Sequence, residues 1–290
     1  MIIVLFSSCL RLDDNLYNLS DKITEYKLDQ YTGEQDFILD PSYTIPDSLV
    51  THFTLQSQAP DESAPTTIHA IYIGDVNRIA TDTVIMYCHG NKWHMDFYWQ
   101  RAKLLANTGR KNRFGVMMID YRGFGLSEGK PTEEGIYADV DAALKWLREK
   151  GLSDRRLVIY GFSLGSAPAT KLCAEPRSLV PSKLILESPF ASADVMAADG
   201  TQLNMPGSYF TSLSINNADE IQQVNQPFCW LHGLNDNFLN YQTHGQVVYD
   251  RYNGPYKEKH LVDGADHGEV PAKMGFAEYS NALLLFITQH

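Results

Sequence analysis

The sequence lacks metal-ligand spacings, internal repeats and low-complexity tracts. Its four cysteines, Cys9, Cys88, Cys173 and Cys229, show no CxxC or Cys/His pattern of the kind that binds zinc. Cys88, Cys173 and Cys229 fall in apolar strand-like or helical runs, where a cysteine is usually a small buried side chain. The sequence therefore predicts no metal centre.

Basic residues are also scarce. The chain has 24 Lys and Arg against 35 Asp and Glu, a formal charge of −11. Such a chain repels nucleic acid and shows no basic stripe for it to use, so we expect no nucleic-acid partner. The 290 residues, 44% hydrophobic and 20% charged, are typical of a soluble globular protein. This length suits one large α/β domain with short additions.

The stretch before Cys9 has a pattern of its own. The letters MIIVLFSS, an apolar run and two small residues, resemble the end of a bacterial lipoprotein signal peptide, whose cysteine receives lipid. The apolar part is too short to span a bilayer, which needs ~20 residues. No Lys or Arg precedes it, so either such a segment begins upstream of Met1 or the resemblance is accidental.

Three regions are expected along the chain. Residues 1–8 are interpreted as a truncated signal segment, residues 9–48 as a tether and extension, and residues 49–290 as the folded domain. Lipid attachment at Cys9 would tether that domain to a membrane of the bacterial cell envelope, facing the periplasm or the exterior. A cytoplasmic protein is the alternative.

The strand and helix patterns of the domain predict one sheet. Alternating polarity on both sides of a polar loop, at 49–57 and 68–73, indicates an antiparallel hairpin at a sheet edge. Solid apolar runs then alternate with helical patterns, which is typical of a doubly wound, mostly parallel α/β sheet. Residues 191–226 lack periodicity and are expected to form a short helical lid. The later strands are expected at 84–88, 114–119, 157–160, 184–186, 227–231 and 260–262, and helices at 99–107, 133–150, up to about 174, 242–252 and 276–288.

A serine lies between two glycines where one of these strands becomes a helix. Gly161, Ser163 and Gly165 follow the apolar run 157–159 in the order GxSxG. This spacing fits a nucleophile elbow, a sharp turn that strains the serine backbone and raises its Oγ above the end of a parallel sheet. Ser163 is therefore the predicted nucleophile, and it needs a base and an acid elsewhere in the chain.

Two later loops supply candidates for the acid and the base. In a doubly wound sheet the active site lies outside the carboxyl ends of the strands. Asp236, in HGLNDN, follows one apolar run and is placed to orient an imidazole, with a purely loop-forming role as the alternative. His267, in DGADHGEV, follows the last short strand and is the predicted general base, with a structural hydrogen-bonding role as the alternative. The order serine, acid, histidine is the one that accompanies a nucleophile elbow.

Backbone N–H groups near the serine are candidates for an oxyanion hole. We predict the N–H of Asn91, in CHGNKW, and the N–H of Leu164 as the two donors. His89 is interpreted as a structural hydrogen-bonding residue beneath this loop. The glycine-rich loop 120–129 lacks both the GxGxxG spacing and the Lys-Ser/Thr pair of a P-loop, so we interpret it as a structural turn.

The motifs together resemble a known superfamily. YCHGN, DYRGFGLSEG, YGFSLGS, ESPF, LHGLND and GADHGE are similar to those of the α/β-hydrolase superfamily, in the branch with monoacylglycerol lipases, protein depalmitoylases and prolyl-type aminopeptidases. The resemblance covers about 50–290. The short segment between Phe190 and Pro227 is similar to small-lid esterases and thioesterases. Lys92, Trp93 and His94 depart from the pattern and leave substrate preference open.

The resemblance implies an activity, and the residues leave three hypotheses. The first is a serine hydrolase that cleaves a small carboxylic ester or thioester through an acyl-enzyme on Ser163, without metal or organic cofactor. The second is a serine peptidase of the same fold, in which Glu187, Asp194 or Asp199 anchors the substrate amine. The third is a non-catalytic, lipid-anchored binding protein, which has no need of a complete Ser/Asp/His set.

Several apolar side chains in these loops are candidates for an acyl pocket, with ordinary lid or core packing as the alternative. They are Trp93, Phe97, Phe190, Met196, Met205 and Phe238.

Overall fold

A computed structural model of the protein describes residues 17, 19, 22–201 and 211–290. Within them, eight strands form one sheet in the order β1-β2-β4-β3-β5-β6-β7-β8. Strands β3 to β8 are parallel, whereas β2 is antiparallel to both β1 and β4. The predicted mostly parallel sheet with an antiparallel hairpin at its edge is confirmed. The strands are Val50–Ser57 (β1), Thr66–Ile73 (β2), Val84–Cys88 (β3), Gly115–Ile119 (β4), Leu157–Phe162 (β5), Lys183–Glu187 (β6), Phe228–Gly233 (β7) and Lys257–Val262 (β8).

The central strands are buried on both faces. Every residue of β3, β4 and β5 is buried, which explains why these segments read as unbroken apolar runs. Successive side chains of a strand point to opposite faces. Val84 and Met86 accordingly belong to one apolar layer, and Ile85 and Tyr87 to the other. The sheet thus separates two hydrophobic cores.

Helices cover both faces of the sheet. Residues of α2, α3 and α6 contribute to the first core, and residues of α1 and α8 to the second. Helix α2 begins at a good N-cap, because Thr132 Oγ1 accepts the Gly135 N–H at 3.1 Å. The helices of the described residues are Trp99–Ala106 (α1), Glu133–Glu149 (α2), Ser166–Ala174 (α3), Ala193–Thr201 (α4), Asn217–Glu220 (α5), Gly245–Arg251 (α6), Val270–Met274 (α7) and Phe276–Gln289 (α8).

The segment before β1 packs along the domain. Phe37 and Ile45 are buried in the second core. The carboxylate of Asp96 accepts the backbone N–H groups of Lys27 at 2.7 Å and Leu28 at 2.8 Å. Lys27 and Leu28 thus lie against the loop that precedes α1, whereas Phe37 and Ile45 pack into the core itself. The expected signal segment 1–8 and Cys9 lie outside the described residues.

In its described residues, the insertion between β6 and β7 carries the helices α4 and α5. Asn217 ties α5 to the domain, since its amide donates to the Phe190 carbonyl at 2.9 Å and to Ser166 Oγ at 3.0 Å. The middle of the expected lid, 202–210, lies outside the described residues. In the part of the chain that is described, no helix has both the length and the apolar character needed to cross a bilayer.

Candidate active site

Ser163 lies on a strained turn between β5 and α3. Its φ is +51°, in the left-handed region, and the residues Ser163–Gly165 form one turn of 3-10 helix before α3 starts. A non-glycine residue in this region costs about 1–2 kcal/mol. The predicted elbow is therefore present as backbone geometry, with the serine side chain at the carboxyl end of a central strand.

The two glycines of the motif allow close backbone approach. A Cβ on Gly161 would lie 2.5 Å from the Gly165 carbonyl oxygen, inside the turn itself. A Cβ on Gly165 would lie 2.0 Å from the Cys88 carbonyl oxygen and 2.8 Å from that of His89. Because of this contact, the turn that carries Ser163 sits directly against the end of β3.

Replacing Gly165 with alanine is expected to destabilise the fold by about 3 kcal/mol through this overlap, although its φ of −62° suits any residue. Gly264→Ala is the matched control: φ there is +72° and nothing lies within 4 Å of the added Cβ, so only the roughly 1 kcal/mol of left-handed strain applies. Urea unfolding of both variants measures the difference. Equal losses of unfolding free energy in the two variants would contradict the tight packing at Gly165.

The structure brings together the three side chains that the sequence selects. His267 Nε2 is 2.9 Å from Ser163 Oγ, and His267 Nδ1 is 2.8 Å from Asp236 Oδ2. A carboxylate only accepts hydrogen bonds, so Nδ1 carries the proton and Nε2 is free to accept the serine hydroxyl. The three residues form a continuous hydrogen-bonded line at the carboxyl ends of the strands.

The Asp236 carboxylate is held by many donors. While Oδ2 binds His267, Oδ1 accepts the N–H groups of Phe238 at 3.0 Å and Leu239 at 2.7 Å. Its Oδ2 also contacts His232 Nε2 at 3.1 Å. Burial raises the pKa of this carboxyl, but the hydrogen bonds from His232 and His267 and the backbone hold the pKa well below its usual value. The group is therefore a fixed anion next to the imidazole.

His232 is a supporting residue that the sequence reasoning missed. Its Nδ1 accepts the Trp230 indole N–H at 3.1 Å, so the ring proton must be on Nε2. That proton is shared between Asp236 Oδ2 and the Leu239 carbonyl, the latter at 2.9 Å. The ring is fully buried in β7. The only signal in the sequence was its place four residues before Asp236.

The expected oxyanion loop follows β3. The Asn91 carbonyl accepts the Tyr98 hydroxyl and the Trp93 N–H, both at 3.0 Å, and Lys92 has a φ of +77°. These features make a tight turn just after the residues that touch Gly165. Asn91 and the buried Leu164 thus belong to adjoining backbone segments on either side of the β3 and β5 ends.

His89 and the glycine-rich loop support this turn. The His89 ring is fully buried, with Nδ1 2.7 Å from the Gly90 carbonyl and Nε2 3.2 Å from Asp120 Oδ1. Asp120 also accepts the Met95 N–H at 2.8 Å, and the Ser127 hydroxyl donates to the Asp120 carbonyl at 2.7 Å. Loop 120–129 therefore braces the neighbouring loops, in agreement with the structural role that we expect for it.

The apolar side chains that are candidates for an acyl pocket differ in burial and in their contacts. Phe238 is 64% exposed, and its ring packs edge-on against the His267 ring with centroids 5.0 Å apart. Trp93 and Phe97 stack on one another at 4.7 Å. Phe190 is buried in the first core, and Met196 packs against that core. Met205 lies outside the described residues.

The proposed amine anchors are largely engaged elsewhere. Glu187 is fully buried, where it accepts Arg101 Nη1 at 2.6 Å and the Tyr279 hydroxyl at 2.9 Å. Asp199 accepts the Thr243 hydroxyl at 3.0 Å and lies 3.3 Å from His244 Nε2. Asp194 is exposed at the start of α4. Glu187 has no open side from which to bind a substrate amine.

One cluster of potential metal ligands occurs among the described residues. The ligand atoms of Cys229, Glu258 and His260 lie within 4.8 Å of one another. Cys229 is the second residue of β7 and is level, through Ile185 of β6, with Tyr160 of β5, so the cluster lies two strands away from the strand that leads to Ser163. Burial raises the pKa of the Cys229 thiol, which disfavours the thiolate that a metal requires, and Glu258 is already bonded to Tyr256 at 2.6 Å.

The doubly wound sheet, with a serine on a strained strand-to-helix turn and a histidine and an aspartate in line behind it, defines an α/β hydrolase. A family model described as "Serine aminopeptidase, S33" (Hydrolase_4) matches residues 80–224, half of the chain. The chain belongs to this family. The matched region includes Ser163 and ends before Asp236 and His267.

Curated relatives agree with this assignment. The chain is 30% identical over 206 residues to alpha/beta hydrolase domain-containing protein 17B of Xenopus tropicalis and of Homo sapiens. These alignments cover 71% of this chain and 66% of each relative, just under two thirds of their length. The mouse protein 17C is also 30% identical, over 70% of this chain and 59% of that protein.

Solved structures share the fold. The esterase Pf2001 of Pyrococcus furiosus superposes with a TM-score of 0.64 at 18% identity, over 89% of this chain and 99% of that one. An esterase of Exiguobacterium antarcticum gives a TM-score of 0.58 at 16% identity, over 81% and 99% of the two chains. At these identities the likeness concerns the fold alone.

Proposed function

We propose that this hydrolase cleaves a carboxylic ester or thioester through a covalent acyl-enzyme on Ser163. The observation that carries the proposal is the hydrogen-bonded line from Asp236 through His267 to Ser163 Oγ, with distances of 2.8 and 2.9 Å. A serine hydroxyl is a weak nucleophile unless an adjacent base removes its proton. The line supplies that base and orients it.

The proposed mechanism follows from the atoms in contact. His267 Nε2 takes the Ser163 hydroxyl proton as Oγ attacks the acyl carbonyl, and Asp236 stabilises the imidazolium that forms. The N–H groups of Asn91 and Leu164 are the proposed donors to the oxyanion. The imidazolium then protonates the leaving alcohol or thiol. Water, deprotonated by His267, attacks the acyl-enzyme and releases the acid and free Ser163.

An ester or thioester is favoured over a peptide with a free amino group. Such a peptide requires an unpaired carboxylate close to the nucleophile to bind its ammonium group. Glu187, which the sequence suggests for that purpose, is enclosed by Arg101 and Tyr279. Asp199, near the end of α4, accepts a hydrogen bond from Thr243 and lies beside His244. Asp194, exposed at the start of α4, is the anchor that remains for the peptidase alternative.

Two assays test the proposal. A fluorophosphonate probe should label the wild-type protein at Ser163, as read by peptide mass spectrometry. Turnover of p-nitrophenyl acyl esters and an acyl-thioester should then exceed turnover of aminoacyl-arylamides. Absence of labelling on folded protein would favour the binding-protein alternative, and faster cleavage of the arylamides would favour the peptidase.

The domain limits and the membrane tether are proposed on the sequence alone. Residues 49–290 are proposed as the catalytic domain, with 191–226 as its lid, and Cys9 as a lipid attachment site in the bacterial envelope. Metabolic palmitate labelling that is lost in Cys9→Ser would support the tether. Unlabelled protein in the cytoplasmic fraction would refute it.

A further inference from the structure

Arg101 of α1 lies buried beside the loop that carries His267. Its guanidinium, 3% exposed, donates from Nη2 to the Gly268 carbonyl at 2.6 Å, one residue after the histidine. The His267 carbonyl itself accepts the Ser188 hydroxyl at 3.1 Å. The backbone on the C-terminal side of the imidazole is therefore tied to two elements outside its own loop.

The same guanidinium touches the strand end that carries Ser163. Arg101 Cζ lies 4.2 Å from the centroid of the Phe162 ring, a cation–π contact. Phe162 immediately precedes Ser163, and its ring packs against the His267 ring with centroids 5.4 Å apart. One cation thus contacts the residue before the proposed nucleophile and the residue after the proposed base.

Two carboxylates hold this cation. Glu187 binds Nη1 at 2.6 Å from the end of β6, and Glu34 binds Nε at 2.7 Å and Nη2 at 2.9 Å. The two bonds from Glu34 form a fork that fixes the plane of the guanidinium as well as its place. Glu34 comes from the segment before β1, which lies outside the family match of 80–224. The N-terminal extension therefore completes a charge network behind the site.

Glu34 is also close to the histidine loop. Burial raises the pKa of the Glu34 carboxyl, while the Arg101 guanidinium acts in the opposite direction. A Cβ on Gly268 would lie 3.5 Å from Glu34 Oε1, so the carboxylate reaches the residue next to the imidazole.

We infer that Glu34 and Arg101 are positioning residues: Glu34 orients the Arg101 guanidinium, which fixes the His267 loop against Ser163. The inference rests on the proposed function, because His267 is the proposed base. We do not propose that either side chain acts on the reacting atoms. Both act by keeping the Nε2 to Oγ distance short, and a misplacement of about 1 Å costs about 100-fold in rate.

The chain offers a matched control for this inference. Lys103, also on α1, forms an ion pair with Asp29 of the same N-terminal extension. This pair joins the same two elements, but among the described residues neither side chain forms a hydrogen bond or ion pair with the His267 loop. Asp29→Asn and Glu34→Gln thus each remove one carboxylate charge between α1 and the extension, and only the second touches the Arg101 network.

The experiment compares Glu34→Gln, Arg101→Lys and Asp29→Asn in the full chain with p-nitrophenyl butyrate. We expect Glu34→Gln to lower kcat about tenfold with KM within about twofold, since the base is displaced and substrate contacts are not. Arg101→Lys should lose at least as much, because a lysine cannot make the fork. Asp29→Asn should stay within about twofold of wild type. Hydrogen exchange of peptides covering 263–269 should quicken in Glu34→Gln and not in Asp29→Asn.

Equal kcat values for Glu34→Gln and Asp29→Asn, a loss confined to KM, or unchanged exchange at 263–269 would overturn the inference. If Glu34→Gln or Arg101→Lys does not fold, the kcat of the other variant is compared with that of Asp29→Asn and tests the inference. A failure of the proposed function is distinguishable, because the wild type would then neither react with the fluorophosphonate nor turn over ester. In that case the exchange comparison alone tests the positioning.

Discussion

Ser163→Ala is expected to abolish fluorophosphonate labelling and to lower kcat for ester hydrolysis by about 10⁴- to 10⁶-fold. The Ser163 hydroxyl is the group that we propose forms the acyl bond. Alanine fits the elbow without a clash, although it keeps the strain of the positive φ. We therefore expect a folded protein with native circular dichroism and almost no turnover, measured with p-nitrophenyl butyrate.

Ser127→Ala is the matched control for this variant. Ser127 is also buried in a loop beside the site, but its hydroxyl bonds the Asp120 carbonyl and the His69 N–H. Its loss should cost about 1 kcal/mol of stability and leave labelling intact. Persistent labelling of Ser163→Ala would mean that another residue is the nucleophile.

Asp236→Asn is expected to lower kcat by about 10³- to 10⁴-fold while KM changes little. An amide can donate from Nδ2 to His267 Nδ1, which leaves Nε2 protonated and unable to accept the Ser163 proton. The Asn Oδ1 keeps the backbone donors of Phe238 and Leu239, so the loop should hold its shape. A steady-state comparison with His232→Gln separates this effect from a general loosening of the site. His232→Gln leaves the proton on His267 Nδ1 and should lower kcat about tenfold.

Asp236→Asn is also expected to change how the unfolding free energy depends on pH. The pKa of Asp236 is lower in the folded protein than its ordinary value of 3.8, so the ionised carboxylate stabilises the fold above about pH 4. This contribution is lost as the pH falls through the folded-state pKa. Wild type should exceed Asp236→Asn in unfolding free energy by roughly 2–3 kcal/mol at pH 7, with the gap closing toward pH 2 in urea titrations. A gap independent of pH would contradict the charged state assigned to Asp236.

The central strands could be predicted because burial on both faces of the sheet produces an unbroken run of apolar residues in the sequence. Val84–Cys88 and Gly115–Ile119 are unbroken apolar runs, and Ser163 and Asp236 follow strands that are likewise buried throughout. The edge strand β8 was predicted three residues too short, at 260–262 instead of Lys257–Val262. Its first residues are Lys257, Glu258 and Lys259, whose charges are tolerated where one side of a strand is open.

Support by residues distant in sequence could not be predicted from local patterns. Glu34 lies 67 positions from Arg101, and Arg101 lies 167 positions from Gly268, so no spacing rule connects them. His232 was visible in the HGLND motif, but its bond to Asp236 depends on the ring orientation that Trp230 imposes. Sequence patterns located the three side chains of the candidate site, and tertiary packing determines what holds them.

The wide separation of the triad along the chain also bears on biosynthesis. Ser163 is made 104 residues before His267, to which its hydroxyl bonds. A nascent polypeptide that has already formed the elbow carries Ser163 without its proposed base until β8 and the loop after it leave the ribosome. On the proposed mechanism, chains that end before His267, by stalled translation or by proteolysis, would not hydrolyse esters or thioesters.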